Sequence, residues 1–276
     1  MVSATLLGIP YDAASSFKRG PALAPARIRE ELWSDAGNTW TERLVDLSAP
    51  GVLADAGDVS LGDSTDGVAV RRAIEEHVER IVVSGSRPIS LGGDHSVTYP
   101  LLCAMHRRHP TITILHVDAH ADLYDVFEGD RFSHACPFAR IMEAGLATRL
   151  VQVGIRTLTR HQRDQADRFG VEIIDMDAWA AGERPLIERD ETVYLSLDLD
   201  GLDPAFAPGV SHPEPGGLSV RDVLGLIHAL PADLVGADVV ECNPAVDPTG
   251  VTAVVAAKFV KEIAAQMHAF RPRSTS

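Results

Sequence analysis

The chain has 276 residues, 45 % of them hydrophobic, with 39 acidic against 25 basic side chains and a formal net charge of −14. This composition argues against disorder and is long enough for one large α/β domain with a sizeable core. The acidic surplus argues against a polyanion such as nucleic acid, which needs clustered Lys and Arg, and suits a small cationic ligand. Cys103, Cys136 and Cys242 are too few, and too far apart, for a disulfide framework or a thiolate zinc site. A reducing compartment follows, and the cytoplasm is the expected location. The opening "MVSATLLGIPYD" does not read as a secretory signal, and no apolar run reaches the length of a membrane span.

In chain order, β-prone apolar runs are found at 4–9, 87–92, 111–118, 149–155, 171–175, 192–200 and 234–240. Helical patterns fall near 25–33, 66–84, 97–109, 135–145, 159–169, 219–230 and 251–269, several with apolar residues three and four apart. Strands alternating with helices predict a parallel sheet with helices on each side. No linker or repeat divides the chain, so residues 1–276 are expected to form a single domain, with 271–276 a frayed tail. Ligands of open parallel sheets bind beyond the C-terminal strand ends.

Three charged clusters stand at such ends. "LGGDHS" (91–96) joins two glycines to His95. "HVDAHADLYD" (116–125) holds Asp118, His120 and Asp122 at alternate positions, which an extended backbone would direct to one side. "SLDLDGLDP" (196–204) repeats the alternation with Asp198 and Asp200, while Asp203 beside Pro204 reads as turn-forming. Carboxylates crowded at buried strand ends repel one another and lose hydration unless a cation neutralises them. Four aspartates would balance two divalent ions, with bridging carboxylates making up the coordination. Oxygen ligands, two imidazoles and no thiolate favour Mn²⁺, with Ni²⁺, Fe²⁺ or Co²⁺ also compatible. Two close ions would acidify a shared water at neutral pH.

"GGDHS", "DAHAD" and "SLDLDGLDPAFAPG", in that order, resemble the three signature motifs of the ureohydrolases: arginase, agmatinase and their relatives. The resemblance runs from "GIPYD" to "GVTAVVAAK". It implies a three-layer α/β/α sandwich with a mostly parallel central sheet, and hydrolysis of a guanidino group to urea and an amine at a manganese pair, in a trimer or hexamer. It also implies that His95, Asp118, Asp122 and Asp198 hold one ion and Asp118, His120, Asp198 and Asp200 the other. Glu241 in "DVVECNP" resembles the glutamate that grips the guanidinium, and His134 in "RFSHACPF" resembles the loop histidine that transfers a proton. Asp122 is counted with these two among the catalytic residues. His106, His109 and His161 fall on predicted helix surfaces, outside the expected site.

Tyr124 stands where animal-type arginases have an asparagine that grips the substrate carboxylate, as it does in agmatinases, and Ala24 precedes Pro25 where the family usually has glycine. Asp125, Glu128 and Asp130 surround a single basic residue, Arg131, in the same loop. A negative loop favours a dication, so agmatine is the expected substrate, with putrescine and urea as products. Arginine and guanidinobutyrate are the alternatives, because "YDVFEGDRFSHACPFARIMEAG" and "APGVSHPEPGGLSVRDVL" also resemble plant-type arginases. A single-zinc amide deacetylase of the same architecture differs in metal stoichiometry. A non-catalytic relative should have lost a ligand or Glu241, and all are present.

Overall fold

Along each central strand, successive side chains are buried on opposite faces. Leu6 packs into one apolar cluster and Leu7 into another; Leu115 and Val117 join the first, Ile112 and Ile114 the second. This period-two alternation, apolar on both faces, is what a sheet covered by helices on each side requires. The computed structural model describes residues 3–62, 66–230 and 233–269, so the expected tail at 271–276 lies outside the described residues.

Eight strands form one sheet: β1 (Ala4–Gly8), β2 (Leu53–Asp58), β3 (Arg87–Leu91), β4 (Ile112–Val117), β5 (Arg149–Ile155), β6 (Glu172–Asp175), β7 (Thr192–Asp198) and β8 (Asp233–Val240). Their order is β2-β1-β3-β8-β7-β4-β5-β6, and every pairing is parallel. The first apolar cluster is covered by α1 (Ala24–Leu32), α6 (Met176–Ala180), α7 (Val220–Ala229) and α8 (Val251–Ala269). The second is covered by α2 (Gly67–Val83), α3 (Thr98–His106), α4 (Pro137–Glu143) and α5 (Arg160–Phe169). The three-layer α/β/α sandwich is therefore present, with a sheet that is parallel throughout. Among the described residues no helix is long and apolar enough to cross a membrane.

Two elements were not anticipated. The edge strand β2, "LADAGD", is largely exposed, and its Ala, Gly and Asp content carries no strand signal. The five-residue α6 is too short for a helical period; Asp175 starts it by accepting the Ala178 N–H at 2.9 Å. Helix α5 is better marked, with a Thr159–Gln162 capping box at its start and Gly170 in the left-handed conformation at its end.

The strands that matter are the four consecutive ones β3, β8, β7 and β4. Because they are parallel, their C-terminal ends lie along one edge, so residues more than a hundred positions apart meet there.

Candidate metal centre and active site

Beyond β3 the chain turns through Gly92 and Gly93, where a Cβ on Gly93 would lie 1.6 Å from the Tyr11 carbonyl oxygen. Only glycine allows that backbone approach. Asp94 then caps a short 3₁₀ turn, accepting the Ser96 N–H with one oxygen and the Ala14 N–H with the other, at 3.1 and 2.9 Å. Burial pushes Asp94 up to about 6 despite these bonds. The turn delivers His95, completely buried, to the centre of the crevice.

The tautomer of His95 can be read from its neighbours. Ser196 Oγ donates to Asp238 Oδ1 at 2.7 Å, so it accepts from His95 Nε2 at 3.0 Å. In the neutral imidazole, the form that can bind a cation, Nδ1 is then left as a lone pair. It faces Asp122 Oδ2 at 3.0 Å, Asp198 Oδ2 at 3.1 Å and Asp118 Oδ2 at 3.2 Å, yet it is buried with no hydrogen-bond partner. One nitrogen and three carboxylate oxygens converging on one point form a donor set suited to a hard divalent cation. A second group adjoins it: His120 Nδ1 lies 3.0 Å from Asp200 Oδ2 and 3.4 Å from Asp118 Oδ1. Asp118 thus turns one oxygen to each group. Asp118, His120 and Asp200 can present ligand atoms all within 4.8 Å of one another.

The six expected ligand residues are brought together, though not by the expected backbone. Strand β4 ends at Val117, and Asp118–Asp122 is a bend rather than an extended segment, with Asp122 left-handed at φ 50°. Likewise β7 ends at Asp198, and Asp200 sits in a 3₁₀ turn capped by Asp198, whose Oδ1 accepts the Asp200 N–H at 2.8 Å. Strand alternation would have set neighbouring members of each cluster about 7 Å apart; turns gather them instead. Gly201 lets that turn press on Asp118, since a Cβ there would lie 2.9 Å from the Asp118 nitrogen. Arg156 holds the turn from outside, donating to the carbonyls of Asp200, Gly201 and Leu202 at 2.8–3.2 Å. Asp203 is turn-forming, as expected: its oxygens accept the N–H groups of Ala205, Gly216 and Gly217.

Without a cation the cluster is electrostatically frustrated. Burial, then repulsion by Asp200 and Asp118, raises Asp198 well above the usual carboxylate range. Burial and Asp118 push Asp122 up to about 6, and burial also raises Asp200. For His95 and His120 burial opposes charge, but the surrounding aspartates outweigh it and both are raised. Asp118 is held low against burial by His116, His120 and His95.

Glu241 follows β8 in a left-handed conformation, φ 62°. Non-glycine residues in this region carry strain of order 1–3 kcal/mol and concentrate at functional sites. Its Oε1 accepts the His95 N–H at 2.8 Å, while Oε2 is buried with no partner. Burial, then Asp94, raises it well above the usual range. Glu241 lines a cavity of about 190 Å³ with Ser16, His120, Asp122, Tyr124, His134 and His212. That is below the usual range for drug-sized ligands, and fits a small linear molecule. A larger cavity of about 450 Å³ beside Trp179 and α7 is mostly apolar and contains none of these groups.

His134 lies 3.7 Å from Glu241 Oε1 through Nδ1 and 2.9 Å from Ser16 Oγ through Nε2. Burial, then the neighbouring His212, pushes His134 down to about 3. His212, stacked on it at 5.0 Å, was missed by the sequence reading, as was Ser16. "GVSHPEPGG" held the signal, a histidine in a Gly/Pro-rich loop shortly after a ligand turn. His161 was also set aside; its ring stacks at 5.7 Å on Tyr124, which lines the cavity.

The arginase-family model matches residues 2–265. The chain belongs to the arginase family. It is a ureohydrolase, acting on C–N bonds of linear amidines, with His/Asp clusters consistent with a binuclear metal centre. Arginase 1, mitochondrial, of Arabidopsis thaliana is 50 % identical over 96 % of this chain and 81 % of its own length. The arginase of Medicago truncatula superposes with a TM-score of 0.91 at 45 % identity, covering 96 % of this chain and 87 % of that one. A hypothetical agmatinase of Burkholderia thailandensis superposes with a TM-score of 0.85 at 31 % identity, covering 96 % and 85 %.

Proposed function

We propose that this ureohydrolase is an arginase, hydrolysing L-arginine to ornithine and urea. The observation that carries this reading is the 50 % identity to a plant arginase across almost the whole chain, against 31 % for the agmatinase structure. Support for agmatine, the substrate expected from the loop, weakens when the loop is seen folded. Asp125 is engaged by two guanidinium groups, Arg131 and Arg140, each at 2.8 Å. Asp130 accepts the backbone N–H of Phe132 at 2.7 Å. Part of the negative field that was to select a dication is thus compensated within the loop, although Arg131 and Arg140 also pair with Glu143 at 2.9 Å. Tyr124 remains in place of the asparagine of animal-type arginases, and its stacking on His161 gives the cavity wall a different chemistry there.

In this reading His95, Asp118, Asp122 and Asp198 would hold one Mn²⁺ and Asp118, His120, Asp198 and Asp200 the other. When bound, such a pair supplies Lewis acidity, lowering the pKa of a shared water and offsetting charge that develops during attack. The protein does the rest. Glu241 Oε2, buried and unpartnered, accepts N–H groups of the substrate guanidinium and regains a counter-charge by doing so. This orients the planar carbon over the ligand cluster. His134, neutral at pH 7 in this arrangement, takes up at Nδ1 a proton given up by the attacking water and passes it to the leaving amine. Asp122 stands ready to accept a hydrogen bond from the attacking water. The trimer or hexamer implied by the family belongs to the same reading, and light scattering after gel filtration measures it directly.

The deciding experiment is urea release by Mn²⁺-loaded enzyme from arginine, agmatine and guanidinobutyrate at equal metal. The expected result is the highest kcat/KM for arginine. A higher value for agmatine would reverse the substrate assignment and leave the metal chemistry intact.

A further inference from the structure

Two large polar side chains lie in the middle of largely apolar strands: His116 in "TILHV" and Gln152 in "RLVQVGI". Both are fully buried, and they face each other in the register of β4 and β5. Gln152 Nε2 lies 3.0 Å from His116 Nδ1 and 2.7 Å from the Ala121 carbonyl oxygen. The amide can be oriented only one way, because its oxygen in that place would meet the Ala121 oxygen with no proton between them. Nε2 therefore donates to both, and His116 Nδ1 is an acceptor. The imidazole proton is then on Nε2, which donates to Asp118 Oδ2 at 2.8 Å. Phe138 packs against the ring, tilted by 32° with centroids 4.0 Å apart.

We propose that His116 and Gln152 are positioning residues, a relay that holds the Asp118 carboxylate in the orientation required for the metal pair. The inference rests on the reading of Asp118 as a metal ligand. With His116 donating to Oδ2 and the His120 N–H donating to Oδ1 at 2.6 Å, each oxygen of Asp118 is anchored by one bond. Its remaining lone pairs are left for the His95 side and the His120 side. Gln152 acts twice, since the Ala121 carbonyl belongs to the bend between ligands His120 and Asp122. His116 also lies near enough to His95 and Asp118 to count as a third ligand of that group, but a protonated Nε2 has no lone pair to give.

The test strips wild type, His116→Phe, Gln152→Leu and His116→Gln of metal and titrates each with Mn²⁺. Free ion is read by electron paramagnetic resonance and the melting temperature of each stripped protein is recorded. Partners of this kind are worth about 10–100-fold in metal affinity. His116→Phe keeps the ring on Phe138, and Gln152→Leu leaves His116 in place without its orienting donor. Both are expected to weaken Mn²⁺ binding by that factor, and His116→Gln, whose amide N–H falls near the Nε2 position, to recover most of it. Wild-type Mn²⁺ affinity in both His116→Phe and Gln152→Leu, with only the stripped melting temperatures lowered, would reduce the pair to packing and overturn the proposal. Loss of one whole Mn²⁺ equivalent in His116→Phe, with no loss in Gln152→Leu, would make His116 a ligand and overturn it too. A wild type that binds no divalent ion would instead remove the metal reading itself, and this inference with it.

Discussion

At the scale of single residues, the structure separates groups that carry charge to the substrate from groups that hold other groups in place. Glu241 belongs to the first kind, since one oxygen is anchored on His95 and the other is free. Glu241→Gln should retain both metal equivalents and fold normally. It should lose about 10–100-fold in kcat/KM, the equivalent of one charge-assisted hydrogen bond of about 1.5–3 kcal/mol. Steady-state kinetics with metal analysis on the same sample checks this, and unchanged turnover would remove the guanidinium-clamp role. His134→Asn should load metal and bind substrate while kcat falls by about 10²–10⁴ if the ring is the main proton carrier. Because burial places its titration near 3, no loss of activity from His134 protonation is expected between pH 6 and 8. A pH–rate profile with a histidine-like inflection that vanishes in His134→Asn would contradict that placement.

At the scale of elements, turns rather than strands decide the site. The ligands and the clamp leave four strand ends through a bend, a 3₁₀ turn or a left-handed residue, and two of these turns have visible locks. Gly93 admits the Tyr11 carbonyl, Gly201 the Asp118 backbone, and Arg156 ties the Asp200 turn. Gly93→Ala therefore has to displace backbone on one side or the other. The expected outcome is a chain that still gives the α/β circular-dichroism spectrum but whose Mn²⁺ affinity drops by at least about tenfold, because His95 and Glu241 share the shifted segment. Titration of the stripped variant measures it; wild-type affinity would mean that the turn relaxes without moving His95.

At the scale of the whole molecule, the sandwich concentrates buried acidity at one edge and leaves it uncompensated until cations arrive. Asp198 and Glu241 are held well above the usual carboxylate range, Asp122 is near 6, and His95 and His120 are raised. At pH 6–8 the metal-free cluster thus retains protons that bound cations must displace. Binding should release protons, and apparent Mn²⁺ affinity should rise with pH across that window, by one logarithmic unit per pH unit for each proton released. Calorimetry in buffers of different ionisation enthalpy reads the number directly. A binding enthalpy independent of buffer would show that the cluster is already deprotonated.

Much of this protein was legible without a structure. Seven of the strands and the principal helices were marked by apolar period, and the ligand types were marked by carboxylates and imidazoles placed where an apolar strand stops. These signals are local, because desolvating a charge is costly wherever it happens in the chain. Edge strand β2 and α6 left no mark, one for lack of apolar content and the other for lack of length. What only the tertiary structure decided is relational. The parallel order β3-β8-β7-β4 brings His95, Glu241, Asp198 and Asp118 together, and turns rather than alternation aim them. The same folding pairs Asp125 with Arg131 and Arg140, so a loop that reads as uniformly negative in one dimension is partly compensated in three. Charge along a sequence counts residues, whereas the field a substrate meets depends on distances to partners that the sequence places far apart.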